Sequence, residues 1–382
     1  MSYNSNNIIN LTTAPSTETE MSSEEQSCMQ FDFIICVLVI GIACLLGVIG
    51  NTTSVFVLWK HKTDSATIFL LQCLSIADSV LLITTLAVYT FPQLYLQGDN
   101  IEEKQAKLQY VNTLFIWPVA MMSHTATIWL TVLVSINRYC SICKAFTRGQ
   151  TNAMKSSQLQ VALVVVLSIL YNIPRFFEHQ PIQSSSSSSP TSSLTTNTTA
   201  DGDYNNESSS TDLTSTTTIL GDNKLYQIIY SNIMYFGVMY IFPLISLGVL
   251  NWKLIKALND IRKRKESLTG HKPPEDHITL CIIAIVFVFL LCQTPALVNQ
   301  IFWAAGEHSD RACGRFHFYY TKISDLLVVI NSSMNFVIYC LFGKSFRQIF
   351  CDVLCQNSCT QKVNSGYAAT QCKTVTVPME NV

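Results

Sequence analysis

The chain has 382 residues, 49% of them hydrophobic and only 13% charged, and its 24 Lys and Arg against 25 Asp and Glu leave a formal net charge of −1. With a mean hydropathy of +0.29, these proportions exclude an ordinary soluble domain and point to a membrane protein. No phosphate loop, zinc pair or nucleophile elbow is present, so neither an enzyme, a cofactor nor a nucleic-acid partner is expected.

In chain order, residues 1–30 are polar and acidic and lack an apolar h-region. No cleavable leader is expected there, and the first span would serve as the insertion signal. Seven apolar segments follow, at roughly 33–58, 68–91, 109–137, 157–176, 226–250, 278–302 and 317–341, each long enough to cross a bilayer as a helix. The expected fold is all-α: a seven-transmembrane helix bundle over 31–355 between an N-terminal segment, 1–30, and a tail, 356–382. Lys60, Lys62, Lys144, Arg148, Lys155, Lys253, Lys256, Arg262, Lys263, Arg264, Lys265 and Lys272 all fall on the side reached after odd-numbered spans. The positive-inside rule therefore places the N-terminus outside and the tail in the cytosol of a multi-pass plasma-membrane protein. Sequons at Asn10, Asn197 and Asn206 fall on the outer side and are expected to carry glycans, whereas those at Asn51 and Asn331 lie within spans.

The outer loop, 178–224, is rich in Ser and Thr and poor in apolar side chains, and is expected to be disordered and glycosylated. It contains no cysteine, and the outer start of span three, "YVNTLFIWPVA", has none either, so no disulfide joins them. Of the chain's 14 cysteines, Cys28 and Cys313 face the oxidising exterior and are expected to pair, pinning the N-terminus to the last outer loop. After span seven, Phe342, Phe346, Ile349, Phe350 and Val353 form a stripe that predicts a short amphipathic helix on the inner leaflet. Cys351 and Cys355 on it are open to palmitoylation, and membrane lipid is a partner.

Few polar groups lie inside the spans, and an intramembrane ionisable residue is a functional site by default. Along span three, Trp117, Ala120, His124, Thr127, Thr131, Val134 and Arg138 recur every three or four residues and share one helical face. On span seven, Asn331 and Asn335 are i,i+4 neighbours, and Asp325 and Ser332 are seven apart. A buried Asp78 needs partners, which these amides and hydroxyls supply, with water or a sodium ion completing the shell.

"GN" at Gly50 and Asn51, "LSIAD" ending at Asp78, "NRY" at Asn137 to Tyr139, Pro243, "CQTP" at Cys292 to Pro295 and "NFVIY" at Asn335 to Tyr339 resemble, in order and spacing, the fingerprint of rhodopsin-like G-protein-coupled receptors. The finer segments "LYNIPRFFE", "CQTPALVNQ" and "LLVVINSSMNFVIYCLFGKSFR" are similar to the invertebrate FMRFamide-type neuropeptide receptor group. The resemblance implies a receptor that couples an extracellular peptide to nucleotide exchange on a heterotrimeric G protein. It implies an activation switch drawn from Asn51, Asp78, Thr127, Asn137, Arg138, Tyr139, Glu275, Pro295, Asn331, Ser332, Asn335 and Tyr339. Asn137 stands where the pattern has an acidic residue and Phe336 where it has proline. Glu275 and Asp276 are the alternative partners for Arg138.

Ala120 removes the carboxylate that a monoamine needs on span three, and no lysine near Val329 is available to a retinal, so a peptide is the expected ligand. Trp117, Met121, His124, Glu178, Gln293, Gln300, Trp303 and Asp325 are the expected ligand contacts. Asp325, Glu178 and the acidic Asp99, Glu102 and Glu103 would meet a cationic peptide such as one ending in Arg-Phe-amide, and Trp117, Tyr235, Phe302, Trp303 and Tyr320 would receive its ring. Two other readings stay open: a receptor of this fold for another small ligand, and a channel or transporter, although no repeats are visible. Asp78 and Asp325 formally offer the carboxylate pair of an intramembrane protease, but neither sits in a recognisable catalytic motif. The C-terminal "ENV" fits capture by a strand-adding domain.

Overall fold

The structure, a computed structural model, describes residues 23–60, 65–95, 101–143, 150–184, 212–269, 277–306 and 312–353. Asn10, Asn197, Asn206, Asp99, Glu275, Asp276 and Cys355, and with them the proposed glycans, one palmitoylation position and the tail, lie outside the described residues. Six continuous apolar helices are long enough to cross a bilayer: Gln26–Trp59, Ala66–Tyr95, Lys104–Cys143, Ala153–Phe177, Lys224–Ser267 and His277–Ala304. A seventh is broken into Phe316–Ser333 and Asn335–Phe342, bent by 45°. Counted as one, the broken pair completes a seven-span bundle. Helices are the expected solution, because each satisfies its own backbone where water is absent.

Span three is the most enclosed and span four the least. Large apolar side chains such as Leu46, Ile49, Leu159, Leu163, Phe287 and Leu291 are exposed on the outside of the bundle, as a lipid-facing surface requires. Inside, one apolar cluster gathers Leu70, Leu74, Leu130, Val134, Ile282, Ile285, Ile338 and Tyr339 toward the end of the bundle that carries Arg138, the positive-inside expectation making that end cytosolic and the opposite one outer. A second joins Trp117, Met121, Ile128, Tyr235, Met239, Tyr240, Val286 and Phe289 toward the outer end. The outer thirds of spans one, two, three and five contain π-helical stretches, at Ile34–Ile40, Leu86–Thr90, Asn112–Ile116, Gln227–Met234 and Gly237–Ile241. Such wider turns re-aim the side chains beyond them.

Two glycines let span one press against span seven. A Cβ on Gly47 would collide with the Ser333 hydroxyl, and one on Gly50 would sit 2.9 Å from Phe336 Cβ. The bend in span seven arises without proline. Met334 interrupts the helix just after Ser332 and Ser333, and Ser333 Oγ donates to both Ala43 O (3.1 Å) and Val329 O (2.9 Å). Serine pairs are a recognised origin of such bends.

Beyond Gly343, residues 344–353 form the helix expected on the inner leaflet. Phe336 meets Phe346 and Phe350 edge-on, with ring centroids 6.0 and 5.6 Å apart. Arg347 Nη1 donates to Cys340 O and Leu341 O, tying off the end of span seven.

The outer loop departs from expectation at both ends. Strand β1 (His179–Ser184) pairs antiparallel with β2 (Asp212–Thr217), His179 opposite Thr217 and Ser184 opposite Asp212, and β2 lies against the outer extension of span three. The segment 178–224 is therefore ordered at its flanks, because backbone hydrogen bonds supply what its side chains lack. The N-terminal boundary also shifts, since helix begins at Ser23. A disulfide joins Cys28 to Cys313, and beside it Phe31 meets Tyr319 edge-on at 4.8 Å.

Candidate functional site

Three polar centres lie along the axis of the bundle. At the cytosolic end, Arg138 reaches across from span three to span six, its Nε donating to Thr279 Oγ1 at 2.6 Å. Beside it, Asn137 carries no charge, and its buried Nδ2 has no partner. Tyr139 is half-buried beside it.

At mid-depth, Asp78 on span two is fully enclosed and its Oδ2 accepts from Asn335 Nδ2 at 2.5 Å. Thr127 and Ser332 hydroxyls flank the same carboxylate without closing a bond onto Asp78 Oδ1, and Oδ1, Thr127 Oγ1, Ser332 Oγ, Ser75 Oγ and Asn51 Oδ1 are all buried without partners. Asn51 Nδ2 donates to Ser332 O at 2.9 Å, linking span one to the bend. Buried polar atoms left unpaired are costly, and here Thr127 and Ser332 set theirs beside one anion. That donor set fits a hard monovalent cation or water rather than a soft metal. Among the described residues no cluster of three His, Cys, Asp or Glu offers an alternative metal site.

Toward the outside, a cavity between spans two, three, five and seven is lined by Thr85, Tyr89, Trp117, Met121, His124, Tyr240 and Asp325. Asp325 is 7% exposed and its Oδ2 accepts from Tyr89 Oη at 2.9 Å. Gln293 on span six reaches this group through His124, their nitrogens 3.4 Å apart, and its Oε1 has no partner. Two residues above it, Pro295 leaves span six without one backbone donor, and Tyr320 Oη donates to Pro295 O at 3.2 Å. Of the expected ligand contacts, the structure thus brings Trp117, Met121, His124, Gln293 and Asp325 together. Gln300 and Trp303 belong to the outer end of span six, with Trp303 against the His317 ring at 5.8 Å.

Glu178 sits elsewhere. It is buried and accepts from Tyr226 Oη at 2.8 Å. Its field acts on Arg175, a cation only 2% exposed that lies 5.3 and 5.4 Å from the ring centroids of Tyr230 and Tyr235 and donates from Nε to Asn172 Oδ1 at 3.2 Å. Asn172 in turn donates to Thr125 Oγ1 on span three at 3.0 Å. The hairpin is fastened to the same place, because Thr218 N donates to Glu178 O at 2.9 Å.

Comparison with known sequences bears on this arrangement. The profile described as 7 transmembrane receptor (rhodopsin family) matches residues 50–339, well over half of the chain. The chain belongs to the rhodopsin family of seven-transmembrane receptors. Among curated relatives, the receptor is 25% identical over 330 residues to the FMRFamide receptor of Drosophila melanogaster, covering 84% of this chain and 54% of that one. It is 25% identical over 326 residues to an FMRFamide peptide receptor of Caenorhabditis elegans, at 84% and 69% coverage. It is 24% identical over 329 residues to the sex peptide receptor of Drosophila melanogaster, at 81% and 70%. The receptor thus spans about half the length of the Drosophila FMRFamide receptor that it matches.

Four site residues of the receptor escape a reading of its sequence. Tyr89 and Thr85 continue the face that carries Asp78 and Leu81 at spacings of three and four, a signal available in principle. Thr279 reads as an ordinary hydroxyl at a helix start. Arg175 reads as a cation snorkelling at a membrane edge, and only the packing reveals that it is enclosed.

Proposed function

We propose that this receptor binds an amidated, cationic neuropeptide of the Arg-Phe-amide type from outside the cell and promotes nucleotide exchange on a heterotrimeric G protein. The single observation that carries the reading is Asp325, a carboxylate enclosed in an outer cavity beside Trp117, Met121 and His124 that accepts a hydrogen bond from the neutral phenol of Tyr89. A guanidinium or amide group of a peptide supplies the charge-assisted hydrogen bonds that this carboxylate still has room to accept, and the aromatic wall suits a phenyl ring. The names of the two FMRFamide receptors among its relatives support the same class.

In this reading the ligand favours an arrangement in which the cytosolic end of span six moves outward about Pro295, breaking the Arg138 to Thr279 bond and presenting Arg138 to the G protein. Sodium or water held by Asp78, Ser75, Thr127 and Ser332 stabilises the resting arrangement of spans two, three and seven, so cation and agonist oppose each other by linkage. Asn10, Asn197 and Asn206 would carry glycans outside, and Cys351, which is exposed, and Cys355 would take acyl chains at the inner leaflet. Calcium and cyclic-AMP responses of cells expressing the receptor, screened against a panel of amidated neuropeptides, test the assignment. Silence toward every Arg-Phe-amide peptide with normal surface expression, or a peptide-evoked current independent of G protein, overturns it.

A further inference from the structure

Asp325 is not the only charge at the outer end of span seven. Lys322, one turn earlier on the same helix, points its Nζ to span one, 2.7 Å from Asp32 Oδ1, with both side chains about one-fifth exposed (17% and 20%). The other carboxylate oxygen, Asp32 Oδ2, accepts from Gln93 Nε2 of span two at 2.7 Å. Cys36 Sγ sits between the two charges, 3.5 Å from Asp32 Oδ1 and 3.6 Å from Lys322 Nζ. The ammonium also lies over the Tyr89 and Phe318 rings, 5.6 and 5.5 Å from their centroids. Tyr89 is the residue whose hydroxyl bonds Asp325. Lys322 therefore stands within one aromatic ring of Asp325, and its charge already acts there.

Residues three apart on a helix are neighbours, and a lysine stem has the freedom to choose between partners on either side. Which carboxylate holds the ammonium is set by Asp32, fixed in place by Gln93 and by the Cys28 to Cys313 disulfide one turn before it. We propose that Asp32 is a positioning residue that sets the ligand's charge preference: by holding Lys322 on span one it keeps an internal cation off Asp325 and leaves that carboxylate to a cationic group of the ligand. Without Asp32, Lys322 turns one helical step inward, pairs with Asp325 and competes with the ligand from within the same chain. The inference rests on the proposed role of Asp325, and it makes Lys322 inhibitory whenever Asp32 is missing, a sign opposite to that of a ligand contact.

The test compares FMRFamide with its analogue carrying neutral citrulline in place of arginine, reading potency on the full-length receptor with surface expression followed by an N-terminal epitope. Asp32→Asn is expected to lower FMRFamide potency by about tenfold, the weight of one charge contact, and to reduce the preference for arginine over citrulline. Asp32→Glu is expected to keep both, and the double variant Asp32→Asn with Lys322→Gln to restore them. A merely structural role for Asp32 lowers the responses to FMRFamide and to its citrulline analogue alike and leaves the arginine preference unchanged. If Asp325→Asn flattens the arginine preference while Asp32→Asn leaves it intact, or if Lys322→Gln fails to rescue, the role of Asp32 is overturned and that of Asp325 stands. If Asp325→Asn leaves the preference unchanged, or the native receptor ignores FMRFamide, the underlying reading falls instead.

Discussion

Arg175 and Asp78 are both buried within the bundle, and their surroundings differ in kind. Arg175 is enclosed by two tyrosine rings, an asparagine oxygen and the nearby Glu178, with the hairpin fastened over it. Asp78 accepts from Asn335, has the Thr127 and Ser332 hydroxyls beside it, and keeps one buried oxygen, Oδ1, without a close partner. Arg175 is held by rings and an amide oxygen, although the Tyr235 and Tyr171 hydroxyls beside it are unpaired, whereas at Asp78 the unpaired atoms include an oxygen of the charged group itself. In the proposed reading the outer end of spans four and five acts as a fixed frame, and the junction of spans two, three and seven as the part that changes.

The largest expected effect tests the frame. Arg175→Ala removes the cation whose field favours the buried Glu178 and leaves Asn172 Oδ1 without its donor, at a cost of about 3 kcal/mol. Thermal stability in detergent and surface expression should both collapse, while Arg175→Met combined with Glu178→Gln recovers most of the loss. Near-native stability of the single variant would remove the distinction between the two charges.

Asp78→Asn is next and should behave in the opposite way. An amide keeps the size and removes the anion, so the protein stays folded, while agonist response falls about tenfold, the factor that separates two states by 1.4 kcal/mol. Replacing choline chloride by sodium chloride should shift agonist affinity in the native receptor and leave this variant unmoved. Unfolding of Asp78→Asn would place Asp78 in the frame with Arg175.

At the cytosolic end the effects are smaller and of known sign. Thr279→Val removes the acceptor held by Arg138, a partly exposed contact of about 1 kcal/mol. Ligand-free nucleotide exchange should rise several-fold, and Arg138→Ala should abolish exchange with surface expression retained. The smallest change expected is from Asn137→Asp, which restores an acidic neighbour to Arg138 and should lower ligand-free exchange by no more than a few-fold. An increase would mean that the arginine is released rather than held by that neighbour.

How much of this was legible in the sequence depended on the kind of force involved. The seven spans follow from hydropathy alone, and Asp78, Arg138, Asn335 and the inner-leaflet helix stand out because polar or periodic residues are rare in apolar runs. The hairpin was not legible. "HQPIQS" and "DLTSTT" carry no apolar alternation, and their pairing rests on backbone bonds that any sequence can make. Nor was the enclosure of Arg175, because span ends usually present their cations to water. The Tyr89 to Asp325 bond joins positions 236 apart, a register that only the packing of spans two and seven determines.

Phe336 has a consequence beyond filling the place of a proline. Its neighbour Asn335 donates into the middle of the bundle, while Phe336 itself packs on the glycine notch of span one and on the two rings of the inner-leaflet helix. Adjacent side chains thus grip the centre of the membrane and its cytosolic surface at once, with a single peptide unit as the axle between them. A change in the orientation of that unit is felt at both contacts, which ties the seating of the helix after Gly343 to the geometry around Asp78.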